Sequence, residues 1–215
     1  MRERPIIFNA DMVRAVLDGR KTQTRRMLTP HHLKKINAAA SAGECYPLES
    51  GNQQPNSQSY YREWCQYGAV GDRLWVRETW MPDAPRDGTW GDVEFFGCKG
   101  SPLSMIPERY RTPEHCIHRA SWDGQEMVGW TPSIHMPRWA SRITLEITGV
   151  RVERLRDLSE EDAKSEGVMP PAGGVLPGWE HRINFRDLWM SIYGADNWEA
   201  NPWVWVIEFK RVEVE

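Results

Sequence analysis

Near its end the 215-residue chain carries Trp203-Val204-Trp205-Val206-Ile207-Glu208-Phe209, a run that is apolar at both alternating sets of positions. Successive side chains of a strand face opposite sides, so such a run fits only where a sheet is covered on both faces. It predicts a central strand, and the rest of the chain must supply that strand's neighbours and coverings. Arg142 to Thr148 alternates, with Ile143, Leu145 and Ile147 on one face, and Val150 and Val152 continue it after Gly149 as a bent or paired strand. A Gly71-Asp72 turn leads into an alternating strand that delivers Arg77 and Glu78 at its end. Pro5-Ile6-Ile7-Phe8 reads as a short buried strand. Short strands at the start, middle and end, with few helices between them, predict an α+β fold: a small mixed β-barrel decorated by helices.

A chain of this length buries one good core, so the expectation is a single domain over residues 1–215, with insertions at about 37–70 and 81–140. Ala38 to Ser59 is small, polar and rich in Gln, Asn and Ser, and reads as a surface loop after a brief helix at Pro30–Ile36. Residues 81–140 are rich in Pro, Gly and Trp with few regular periods, which makes them a candidate lid or pocket wall. No early apolar run is long enough for a signal peptide or membrane span, so a soluble, cytoplasmic protein is expected. The four cysteines then read as reduced thiols.

Chemistry concentrates in Gly19-Arg20-Lys21-Thr22-Gln23-Thr24-Arg25-Arg26. Upstream, Asn9 to Asp18 reads as a short helix capped by Asn9, with Met12, Val13, Val16 and Leu17 on one face and Gly19 closing it in the left-handed conformation. The octet begins where that helix stops. An extended Thr22–Arg26 directs Thr22, Thr24 and Arg26 one way and Lys21, Gln23 and Arg25 the other, although a lysine at the bend can still swing toward Thr24. The formal charge is -3, yet residues 1–36 hold nine cations (Arg2, Arg4, Arg14, Arg20, Lys21, Arg25, Arg26, Lys34, Lys35) against Glu3, Asp11 and Asp18. That local field attracts a phosphate or another anion.

A second helix is written in Leu158-Ser159-Glu160-Glu161-Asp162-Ala163-Lys164-Ser165-Glu166-Gly167: Ser159 caps it, acids fill its first turn and Gly167 stops it. Glu166 then lies on the last turn, where a carboxylate opposes the helix dipole and calls for a nearby cation. The plainer reading of Glu166 is a surface carboxylate paired with Lys164 or Arg154.

Together these features are familiar. A helix, then Gly19-x-Lys21-x-x-Thr24-x-Arg26, a Gly-Asp strand, the Leu-Ser-Glu-Glu helix ending at Glu166 and a terminal Val-Ile-Glu-Phe-Lys strand resemble the ASCH domain family. The family pattern has glutamate where this chain has Thr24, and the small bacterial members that hydrolyse N4-acetylcytidine have threonine there. The resemblance implies a PUA-like barrel, an amidohydrolase acting on N4-acylated cytidine-type nucleosides, and a catalytic triad of Lys21, Thr24 and Glu166. It covers roughly residues 5–28, 71–78, 142–167 and 183–210. The stretches at 37–70 and 81–140 look like the insertions of phage and prophage ASCH proteins.

In that scheme Thr24 supplies a hydroxyl and Lys21, with its pKa lowered by burial and by Arg20, Arg25 and Arg26, takes the proton. Glu166 positions the ammonium or passes a proton to the leaving amine, and Arg26 donates to an acyl oxygen or a phosphate. Substrate-binding candidates are Arg25, Arg26, Glu78, Trp80 and Trp139. Glu78 competes with Glu166 for the carboxylate role, its plainer reading being a structural ion pair. Of the twelve tryptophans, Trp75, Trp189, Trp203 and Trp205 read as core, whereas Trp80 and Trp139 are loop rings available to stack on a base. From another class, the alternative is a noncatalytic RNA-binding module in which the octet holds phosphates. The expected partner is thus a modified nucleoside or RNA. No cofactor is expected, and no metal, because His115-Cys116-Ile117-His118 with Cys98 matches no standard zinc spacing.

Overall fold

A computed structural model describes residues 1–83, 102–124, 129–170 and 180–212. In chain order its elements are β1 (Glu3–Ile7), α1 (Ala10–Leu17), β2 (Gln23–Met27), α2 (Pro30–Ser41), α3 (Leu48–Gly51), α4 (Pro55–Arg62), β3 (Arg73–Arg77), β4 (Trp80–Pro82), β5 (Cys116–His118), β6 (Thr144–Arg154), α5 (Glu160–Ser165), α6 (Glu180–Tyr193), α7 (Ala195–Glu199) and β7 (Trp203–Val212). The fold is α+β: strands run in the order β1-β3-β6-β7-β2 in a five-stranded sheet, and β4 pairs with β5 in a second, two-stranded one. No described helix is long and apolar enough to cross a membrane.

Two compact units divide the chain. The first comprises residues 1–2, 15–73 and 146–210, the second residues 3–14, 74–145 and the last few. In the first, β7 has the interior position its composition demands, with Trp203 to Ile207 all buried. Its Val204 and Val206 pack with Leu155, Leu158, Ala163, Phe185 and Trp189. Strand β2 joins it antiparallel, in a register that sets Thr24 opposite Ile207 and Arg25 opposite Val206.

The helix expected at Pro30–Ile36 runs on into the segment expected to be a loop, where α3 and α4 also form. Thr29 caps α2 by accepting from the His32 N–H, Pro30 takes the first turn, and the helix runs on to Ser41 with Ile36 and Ala39 buried. The alanines counted as loop-like are the best helix formers available. Pro55 starts α4, which buries Ser57 and Tyr61, and Lys35 of α2 lies 4.4 Å over the Trp64 ring just beyond it.

In the second unit, Trp80 was expected in a loop and instead opens β4. It pairs with His118 of β5 and exchanges backbone hydrogen bonds with Thr131, and its ring has no exposed surface. It packs with Met136 and Ala140, edge-on to Trp139 at 5.5 Å. Short 3-10 turns make up much of the rest of the described part of residues 81–140.

Candidate functional site

Helix α1 ends as its sequence requires. Asn9 Oδ1 accepts from Met12 N–H, Gly19 takes a φ of +73°, and the Lys21 N–H returns to the Ala15 carbonyl at 2.9 Å. The chain then enters β2 already fastened to the end of α5. Lys21 and Glu166 form an antiparallel bridge, and Thr22 N–H donates to Ser165 O at 2.8 Å. Helix α5 holds its own end of this joint: Ser159 caps it by accepting from Asp162 N–H, and Gly167 leaves it at φ +83°.

This joint brings Lys21 and Glu166 together out of solvent, with side-chain exposures of 0% and 4%. Lys21 Nζ donates to Glu166 Oε2 at 2.8 Å and to the Glu166 carbonyl at 2.9 Å. The cation that the dipole argument called for is therefore present, and the surface pairing with Lys164 or Arg154 is not what holds Glu166. Burial pushes the Lys21 pKa below its ordinary value of 10.5; Glu166 pulls the other way, and the charges of Arg26 and Arg25 add to the lowering.

Gln23 and Arg25 project from the same face of β2. Gln23 Nε2 reaches the Asp162 carbonyl at 2.8 Å, while the Arg25 guanidinium binds Glu153, Asp162 and Glu166. Arg151 closes the network, on Glu153 at 3.0 Å, on Asp162 at 2.9 Å and on Glu208. Strand alternation sends buried Thr24 and half-buried Arg26 from the opposite face. Lys21, just ahead of the strand, sends its amine to Glu166, the carboxylate that Arg25 also holds. Arg26 also acts on Tyr67, whose hydroxyl is pushed above 10.0 by burial against the Arg26 charge.

Glu78 and the tryptophan candidates belong to the second unit. Glu78 is buried and held bidentately by Arg142, at 2.9 and 3.0 Å, which is the structural ion pair of its plainer reading. Trp139 is half-buried against Trp80. In the neighbouring His-Cys-Ile-His stretch, His115 Nδ1 faces Thr112 Oγ1 and His118 Nε2 faces the Ala140 carbonyl, while Cys98 lies outside the described residues.

Sequence reasoning missed Gln23, Arg151, Glu153 and Asp162. The signal was there in part: Asp162 and Glu166 are four apart on one helix face, and Arg151 and Glu153 are two apart on one strand face. Asp162 gives a direct test of the network. Burial raises its carboxyl pKa, but Arg25 and Arg151 outweigh that and hold it below its ordinary 3.8. Its stabilising contribution is thus complete above the unfolded value and is lost as pH falls through the folded one. Asp162→Asn is expected to lower the urea midpoint at pH 7 and to flatten the further loss below about pH 4. Parallel curves for the two proteins from pH 6 to pH 3 would contradict the assignment.

Comparison of the chain with protein-family models, with curated proteins and with solved structures finds no match.

Proposed function

We propose that this chain is an amidohydrolase of the ASCH kind, on a PUA-like barrel, removing the acyl group from an N4-acylated cytidine. The observation that carries the reading is the buried Lys21–Glu166 couple, an amine whose pKa burial lowers, three residues from a buried threonine hydroxyl. As the neutral amine, Lys21 takes the Thr24 proton while the threonine oxygen adds to the acyl carbon. Arg26, on the Thr24 face, donates to the oxygen that becomes negative. Collapse of the adduct breaks the C–N bond, and the departing N4 amine receives the proton from Lys21. A water, deprotonated in turn by Lys21, adds to the threonyl ester; the C–O bond breaks, the proton on Lys21 returns to the Thr24 oxygen, and the carboxylic acid is released. Glu166 orients the amine throughout.

The same geometry favours this reading over phosphate binding by the octet. Lys21 and Arg25 are committed to buried carboxylates, and Arg20 to Asp18 and the Gly167 carbonyl. Cations neutralised internally attract a neutral nucleoside as well as a charged polymer, so turnover is expected to depend weakly on salt, whereas RNA binding would fall steeply.

Purified protein incubated with N4-acetylcytidine is expected to release cytidine and acetate, and Thr24→Val to lower kcat by about 10³-fold with the fold intact. Full turnover by Thr24→Val, or no turnover by the unaltered chain, rules the reading out.

A further inference from the structure

Arg25 takes no part in the proton transfers proposed above, yet its fully buried guanidinium ties three carboxylates together. Nε and Nη2 reach Glu153 Oε1 at 3.1 and 2.5 Å, Nη2 reaches Asp162 Oδ2 at 3.0 Å, and Nη1 reaches Glu166 Oε1 at 3.1 Å. The three acids are not equivalent. Glu153 and Asp162 each have a second guanidinium in Arg151, at 3.0 and 2.9 Å. For Glu166 the other cation is Lys21, at 2.8 Å on Oε2. Taking Arg25 away therefore leaves Glu153 and Asp162 paired and hands Glu166 to Lys21.

We propose that Arg25 is a positioning residue for the Lys21 amine: by holding one oxygen of Glu166 it fixes the carboxylate plane and divides its charge between two cations, so the other oxygen steers the amine. The inference concerns the regulation of the couple on which the hydrolase reading rests. Arg25 acts through Glu166, since it projects from the face of β2 opposite Thr24. Its fork suits the task, because a planar guanidinium bonds three oxygens in set directions where an ammonium offers a point charge. The charged groups around Lys21 act in opposite directions. Glu166, at the end of α5, favours the ammonium; Arg25 and Arg26 of β2 disfavour it. Behind them, Glu153 and Arg151 of β6, Asp162 of α5 and Glu208 of β7 are paired among themselves and with Arg25.

The test is an NMR titration of the Lys21 side chain in the full chain, assigned by the signal missing from Lys21→Met. Arg25→Met, which keeps the length and loses the charge, is expected to raise the midpoint by about one pH unit or more, with Arg25→Lys in between. The acid limb of kcat against N4-acetylcytidine should move the same way while KM stays put. An unmoved midpoint in folded Arg25→Met overturns the proposal; if that variant does not fold, an unmoved midpoint in Arg25→Lys does so. The titration needs no turnover, so the two readings fail separately. A protein inert toward N4-acetylcytidine whose midpoint still moves retains the clamp and loses the hydrolase, and turnover with an unmoved midpoint does the reverse.

Discussion

Lys21→Met is expected to lower kcat for N4-acetylcytidine by about 10³-fold or more, because the scheme gives this amine every proton transfer and general base catalysis is joined here to activation of the nucleophile. The same group fixes two pH dependences. Turnover in the unaltered protein should rise with pH as the ammonium deprotonates, at a value held below 10.5 chiefly by burial. Stability should rise across the same window. Between the lowered folded value and 10.5 the unfolded chain binds the proton that the folded chain has released, so raising the pH favours the fold. Lys21→Met removes both slopes. Its Glu166 keeps Arg25 at 3.1 Å, so the carboxylate is not left without a cation and the variant is expected to fold. Urea midpoints from pH 7 to pH 10 that climb equally in both proteins would show that Lys21 is not the titrating group.

What could be read in the sequence was what is local. Asn9 and Gly19 bound the first helix, Ser159 and Gly167 the acidic one, and β7 declared itself interior because both of its faces are apolar. Glu166 needed a cation by the dipole argument alone. Which cations answered was a matter of chain separation: Lys21 lies 145 positions from Glu166, and Arg25 lies 128 from Glu153. No periodicity spans such gaps, so Lys21 entered through a family resemblance, while Arg25 was read as a substrate contact and its carboxylate partners were missed. Alternation did place Lys21, Gln23 and Arg25 together, and it left open which face was covered by acids. Trp80 failed for a related reason. A three-residue strand has no pattern of its own, and its partner β5 lies beyond a long connection.

Gly167→Ala is expected to destabilise the protein by about 2–5 kcal/mol. Two costs coincide. The residue sits at φ +83°, where an L side chain is strained, and a Cβ there would stand 2.7 Å from both Ala15 Cβ and Lys21 Cβ and 3.2 Å from Lys21 Cα. None of these atoms is the free end of a flexible side chain, so relief requires the α5 terminus and the start of β2 to separate. That movement pulls at the Lys21–Glu166 bridge and at the Arg20 bond to the Gly167 carbonyl. A displacement of about 1 Å is enough to cost on the order of 10²-fold in kcat. Gly19→Ala is the control: its φ of +73° carries similar backbone strain, but a Cβ there meets nothing within 4 Å, so about 1 kcal/mol is expected. The difference between the two variants in urea unfolding isolates the contact from the backbone term. Equal losses would mean that α5 and β2 are not pressed together at this glycine, and the fixed geometry on which Lys21, Glu166 and Arg25 all depend would lose its anchor.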